Sequence, residues 1–170
     1  MPLARPLNVL FLCTGNSARS IMSEAMLRHL GGGRFVAYSA GSTPAGYVNR
    51  FALEQIAARG WPTDGYRSKS WDEFAAGPKN PDAPAIDIVI TVCGNAAAET
   101  CPVFPGAGVS AYWGVPDPAP IEGNTARMQL NFAQAYAALE RRIKALIALP
   151  DAVLADRKAL KRELDRIGTL

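Results

Sequence analysis

The sequence predicts an α/β fold in three layers: a central parallel four-stranded sheet with helices on both faces, plus an extra C-terminal helix. Three observations carry this expectation. Short apolar runs rich in β-branched residues read as buried strands, longer segments with helical spacing separate them, and 170 residues that are 49% hydrophobic suffice for one core, not two. Residues 1–150 are therefore expected to form a single domain, with 151–170 an amphipathic helix packed on it or extending it.

Residues 7–12 are the first continuous apolar run. The run is too short for a membrane span and has no signal-peptide cleavage pattern behind it, so it reads as a strand. It feeds directly into Cys-Thr-Gly-Asn-Ser-Ala-Arg-Ser at positions 13–20, and a helical segment follows over about 17–30. Residues 35–40 form a second strand ended by Gly41, and 50–59 a second helix stopped by Gly60 and Pro62. The clearest buried strand is 86–92, with Ile86, Ile88, Val89, Ile90, Thr91 and Val92. A weaker fourth follows at 109–113.

From 125 to 149 the residues Met128, Leu130, Phe132, Ala135, Tyr136, Leu139, Ile143 and Leu146 recur at mostly helical spacing, and Pro150 closes the segment. Residues 77–84, with three prolines and a glycine, read as an exposed loop. The last helix, over 151–167, sets Val153, Leu154, Leu160, Leu164 and Ile167 near one face. That face either docks on the body or serves as a dimer or partner surface. Ligands of a parallel sheet sit at the carboxyl ends of its strands, where Cys13 and Cys93 both fall.

A net charge of +3, partly from Arg157, Lys158, Lys161, Arg162 and Arg166, is too weak for a nucleic-acid footprint. Neither nucleic acid nor a membrane is an expected partner. Three cysteines, Cys13, Cys93 and Cys101, make an odd count for a disulfide framework, so thiol chemistry or plain burial fits better and a cytoplasmic location is expected. His29 is the only histidine, in a helical run with no evident triad partner.

The segment 13–19 carries the chemistry. Gly15 and Asn16 tolerate positive φ, and the loop runs into a helix start, so successive backbone N–H groups of Thr14, Gly15, Asn16, Ser17, Ala18, Arg19 and Ser20 can converge on one oxyanion. The same amides, the helix N-terminus and the Arg19 guanidinium favour thiolate over thiol at Cys13. Such settings lower a cysteine pKa from about 8.5 into roughly 3.5 to 7.5. Arg19 would hold the oxyanion bidentately, Ser17 and Ser20 could donate to the sulfur, and Asn16 could brace the loop. Asp117, in Pro-Asp-Pro after the fourth strand, is either a general acid for the departing oxygen or a turn aspartate.

Residues 13–20 together with Asp117-Pro118 resemble the low-molecular-weight tyrosine phosphatase fold, specifically its thioredoxin-coupled arsenate reductase branch, over about residues 7–149. The phosphatases of that fold carry a second cysteine where this chain has Ala18, and a tyrosine pair beside the acid that is missing here. The wording Thr14-Gly15-Asn16-Ser17 is that of the reductases. The resemblance implies that Cys13 attacks arsenate while Asp117 protonates the leaving oxygen. It also implies that Cys93 and then Cys101 pass on a disulfide that thioredoxin or another dithiol reduces. Read without it, Cys93 is a core residue at a strand end and Cys101 a loop thiol.

Some reductases of this branch hold potassium beside the loop, at positions corresponding to Asn16, Glu24 and Ser39. Here Lys69-Ser70 stands where they have an aspartate; the lysine could replace the cation, so neither a metal nor another cofactor is expected. The alternative function is a phosphatase working through a Cys13 phosphocysteine, since phosphate and arsenate are near-isosteric. A non-catalytic anion-binding module is a third class. The reductant's identity and the oligomeric state stay open at this level.

Overall fold

The computed structural model describes residues 3–75, 78, 80–92, 108–119 and 124–170. Four strands, β1 (Leu7–Cys13), β2 (Phe35–Gly41), β3 (Ile88–Thr91) and β4 (Val109–Tyr112), form one parallel sheet in the order β2-β1-β3-β4. Seven residue pairs join β1 to β2, from Leu7 opposite Phe35 to Cys13 opposite Gly41, and four join β1 to β3. With β1 and β3 central, the chain turns from β1 toward one edge and later returns toward the other. The carboxyl end of β1 is thus the switch point where such sheets bind ligands.

Side-chain parity along β1 sorts the core into two faces. Val9, Phe11 and Cys13 join the larger cluster, with Met22 and Met26 of α1 (Arg19–Leu30) and Phe132, Tyr136, Leu139 and Ile143 of α3 (Thr125–Ile147). Leu10 and Leu12 point the other way, onto Ala40, Val89, Ile86 and Phe74. Phe74 comes from a 3-10 turn, Trp71–Phe74, so helical segments cover both faces unequally. The run 9–12 is continuous rather than alternating because both sides of β1 are buried.

Element boundaries follow local chemistry. α2 (Arg50–Ala57) starts where Asn49 Oδ1 accepts from Phe51 N, and Gly60 at φ 80° follows its end. α3 starts at Asn124, whose side chain accepts from Arg127 N. Leu130 departs from the helical pattern and stands exposed, because it is two residues from both Met128 and Phe132 and so out of phase with the buried stripe.

The helix expected over 151–167 is instead two. α4 (Asp151–Leu154) ends at Ala155, and Asp156 then accepts from Lys158 N and Ala159 N to start α5 (Arg157–Ile167). The Asp156 cap competes with continuation of the first helix and wins. Leu160, Leu164 and Ile167 of α5 bury against the larger cluster, and Trp113 Nε1 donates to Leu164 O at 2.9 Å. Gly168 closes the contact: a Cβ there would lie 2.6 Å from Tyr112 O. Arg142 of α3 braces the same region by donating to the carbonyls of Trp113, Gly114 and Leu170.

Leu164 is fully buried. Leu164→Ala should lower unfolding free energy by about 2–5 kcal/mol, as for other deep leucine truncations. Urea titration followed by circular dichroism measures this; a loss below about 1 kcal/mol would mean that α5 is not part of the cooperative core.

Candidate active site

Parity places Cys13 on the α1 face, at the last position of β1, and only 4% of it is exposed. The chain must then reverse within a few residues to enter α1 at Arg19. Asn16 makes this possible by taking φ 47°, the left-handed region that asparagine tolerates better than most residues. Its fully buried amide is held at both ends, with Nδ2 donating to Ser20 Oγ at 2.8 Å and Oδ1 accepting from Lys69 N at 2.9 Å.

The carbonyls of the loop turn outward. Thr14 O accepts from Thr43 N at 3.0 Å, Gly15 O from Ala45 N and Ser68 Oγ at 2.9 Å each, and Ser17 O from Asn49 N at 2.9 Å. In a trans peptide the N–H points opposite to the C=O, so anchoring these oxygens turns the amides of Gly15, Asn16 and Ala18 to the inner side of the loop. α1 adds to that field. Its N-cap position is Ala18, with no side-chain cap, and no acidic residue lies in its first turn. A helix N-terminus without a side-chain cap or carboxylate suits an external anion.

Arg19, 4% exposed, spans from α1 to the segment after β4: one guanidinium nitrogen donates to Val115 O at 2.9 Å, and the other lies 3.7 Å from Asp117 Oδ2. Asp117 fits the turn reading and also faces the cleft. Its Oδ1 accepts from Ala119 N at 2.9 Å, which is turn chemistry, while Oδ2 faces Arg19. Its side chain is 40% exposed and so open to solvent.

One cleft of about 300 Å³ is lined by Cys13, Thr14, Gly15, Asn16, Ser17, Ala18, Arg19, Tyr47, Asp117 and Ala119. The structure thus brings together the whole predicted loop and Asp117, although 98 positions separate Arg19 from Asp117. Ser20 sits behind the loop as the partner of Asn16. Cys93 and Cys101 lie outside the described residues. His29 stacks on Trp61 at 4.6 Å, ten residues along α1 from Arg19 and so about 15 Å from the loop.

Sequence reasoning missed Tyr47, exposed at the rim, and Ala119. A usable signal existed for Tyr47: it follows the carboxyl end of β2, beside the end of β1.

Behind the loop, Glu24 Oε1 accepts from Ser39 Oγ at 2.5 Å, and Lys69 Nζ lies 3.8 Å from the same carboxylate oxygen and 3.4 Å from Ser39 Oγ. Burial pulls the Lys69 pKa below its ordinary value, Glu24 opposing. A potassium ion on Glu24 and Ser39 would have to share this space with the ammonium, so the residues present do not fit one. Among the described residues no cluster of His, Cys, Asp and Glu suits a metal ion, and no helix is long and apolar enough to cross a membrane.

A Cβ at Gly41 would lie 2.5 Å from Thr14 O and 3.0 Å from both Asn16 N and Cys13 O, all backbone atoms. Gly41→Ala should therefore displace the loop and weaken inorganic phosphate binding on the order of tenfold or more. Titration calorimetry checks this; unchanged affinity would show that the loop can shift without losing its anion geometry.

Comparison with known proteins places this arrangement. Residues 8–165 match the family described as low molecular weight phosphotyrosine protein phosphatase. A protein of Halalkalibacterium halodurans named arsenate reductase is 32% identical over 136 residues, 80% of this chain and 91% of its own. The solved arsenate reductase of Archaeoglobus fulgidus superposes with a TM-score of 0.64 at 27% identity, covering 83% of this chain and 99% of that one. A thioredoxin-dependent arsenate reductase of Corynebacterium glutamicum gives 0.55 at 25% identity, covering 85% of this chain and 63% of that one. The chain belongs to the low molecular weight phosphotyrosine protein phosphatase family, alongside relatives named arsenate reductase.

Proposed function

We propose that this protein reduces arsenate to arsenite, using Cys13 as nucleophile and Cys93 and Cys101 as a disulfide relay. The observation that carries the reading is the meeting of Cys13, Arg19 and Asp117 in one cleft at the uncapped start of α1. The relatives named arsenate reductase give the substrate.

In this mechanism the guanidinium of Arg19 and the inward amides bind the oxyanion and favour the Cys13 thiolate. The sulfur attacks arsenic, an As–S bond forms, and Asp117 donates a proton to the departing oxygen, which leaves as water. The Cys93 thiolate then attacks Cys13 Sγ. A disulfide forms, the electron pair of the As–S bond stays on arsenic, and arsenic(V) leaves as arsenic(III). Cys101 attacks Cys93, moving the disulfide to Cys93–Cys101 and releasing Cys13. An external dithiol, thioredoxin in our reading, reduces that disulfide in the cytoplasm; the thioredoxin-dependent neighbour supports this choice.

A second reading is a phosphatase in which water hydrolyses a Cys13 phosphocysteine. The family's own description favours keeping it, and among the described residues lining the cleft none separates phosphate from arsenate. The two later cysteines discriminate, because hydrolysis does not need them.

In a coupled assay with arsenate, thioredoxin, thioredoxin reductase and NADPH, wild type should turn over, while Cys13→Ser, Cys93→Ser and Cys101→Ser should each lose multiple turnover. A Cys93→Ser variant as active as wild type would end the relay, and rapid aryl phosphate hydrolysis without arsenate turnover would establish the phosphatase. Asp117→Asn should reduce kcat by roughly 10²- to 10⁴-fold if the carboxyl donates the proton, with phosphate affinity little changed. Stopped-flow single-turnover rates distinguish this from a binding loss.

A further inference from the structure

Among the described residues Lys69 is the most buried lysine paired to a carboxylate: its side chain is 9% exposed and that of its partner Glu24 is 5% exposed. Buried charges persist in proteins when paired and hydrogen-bonded, and Nζ meets both conditions through Glu24 Oε1 at 3.8 Å, Ser39 Oγ at 3.4 Å and Arg67 O at 3.0 Å. Arg28 reaches the other oxygen of Glu24 from the solvent side.

The backbone of the same residue touches the loop. Lys69 N donates to Asn16 Oδ1, Lys69 O accepts from Gly41 N at 2.9 Å, and the neighbouring Ser68 Oγ donates to Gly15 O. Residues 68 and 69 therefore form a strap across the back of the loop. Asn16 at φ 47° is the one non-glycine residue in the left-handed region among those described, a conformation that persists only where its surroundings over-determine it.

We propose that the Lys69 ammonium is a positioning group: a built-in cation that pins the strap to the buried Glu24–Ser39 pair and so holds Asn16 and the loop in the anion-binding conformation. The inference rests on the reading of the loop as an oxyanion site, but not on which oxyanion reacts. Lys69 is not among the residues that line the cleft; it acts through Asn16. Its lowered proton affinity is what a cation enclosed in this way would show.

Removing the ammonium leaves a recess lined by a carboxylate, a hydroxyl and a carbonyl, which a small external cation can enter. Ammonium reproduces the missing group most closely.

The test measures alkylation of Cys13 by iodoacetamide, resolved by peptide mass spectrometry, and its protection by inorganic phosphate. In Lys69→Ala the phosphate concentration for half-protection should rise by about tenfold. Ammonium chloride should recover part of that loss, with sodium chloride at matched ionic strength as control. An unchanged phosphate dependence, or a loss that ammonium does not relieve, would overturn the proposal. Should Lys69→Ala fail to fold, Glu24→Gln/Lys69→Met removes both buried charges and is read the same way: wild-type phosphate protection in it overturns the proposal, and a tenfold loss supports it. Absence of phosphate protection in the wild type would instead refute the oxyanion reading beneath it.

Discussion

The site depends on where the loop's carbonyl oxygens go. Every buried peptide must satisfy its C=O as well as its N–H, and a loop that presents amides to a ligand has to place the opposite ends of those dipoles elsewhere. Here the segment after β2 takes the oxygens of Thr14, Gly15 and Ser17, with Ser68 sharing that of Gly15. The anion site is thus made by structure outside it. Carbonyls anchored in this way hold the amides in place, the condition under which oriented dipoles stabilise charge without reorganising.

Arg19 extends the same logic to the far wall. Guanidinium is a planar fork, and its two terminal nitrogens are engaged separately, one on Val115 O and the other facing Asp117 Oδ2, which together orient its plane. A lysine, with a single flexible point charge, would not define that plane. The bond also ties the start of α1 to the segment after β4, the segment that carries Asp117. Trp113 in turn ties β4 to α5. A continuous path of contacts therefore leads from the C-terminal helix to the guanidinium.

Much of this was legible in the sequence because it is local. The four strands, their order of appearance, the loop after the first strand and the pairing of Cys13 with Arg19 all follow from apolar runs, glycine placement and spacing of a few residues. For Asp117 the sequence allows either an acid or a turn aspartate; in the structure one carboxylate oxygen serves the turn and the other faces Arg19. What could not be read is non-local. Nothing near Lys69 says that its backbone holds Asn16 while its ammonium meets Glu24. Long-range partners are chosen by tertiary packing, which leaves no periodic trace. The break at Asp156 was missed for the opposite reason, since the apolar stripe continues across it and only the cap interrupts the helix.

Strand β1 is paired in register on both sides, and alternate residues enter different halves of the core. That parity has a consequence for how sequences of this kind can diverge. Inserting or deleting one residue within β1 would carry the thiol to the opposite face of the sheet, away from α1. The cysteine's place along β1 is thus fixed in parity: an odd shift takes the thiol off the α1 face, whereas an even one keeps it there.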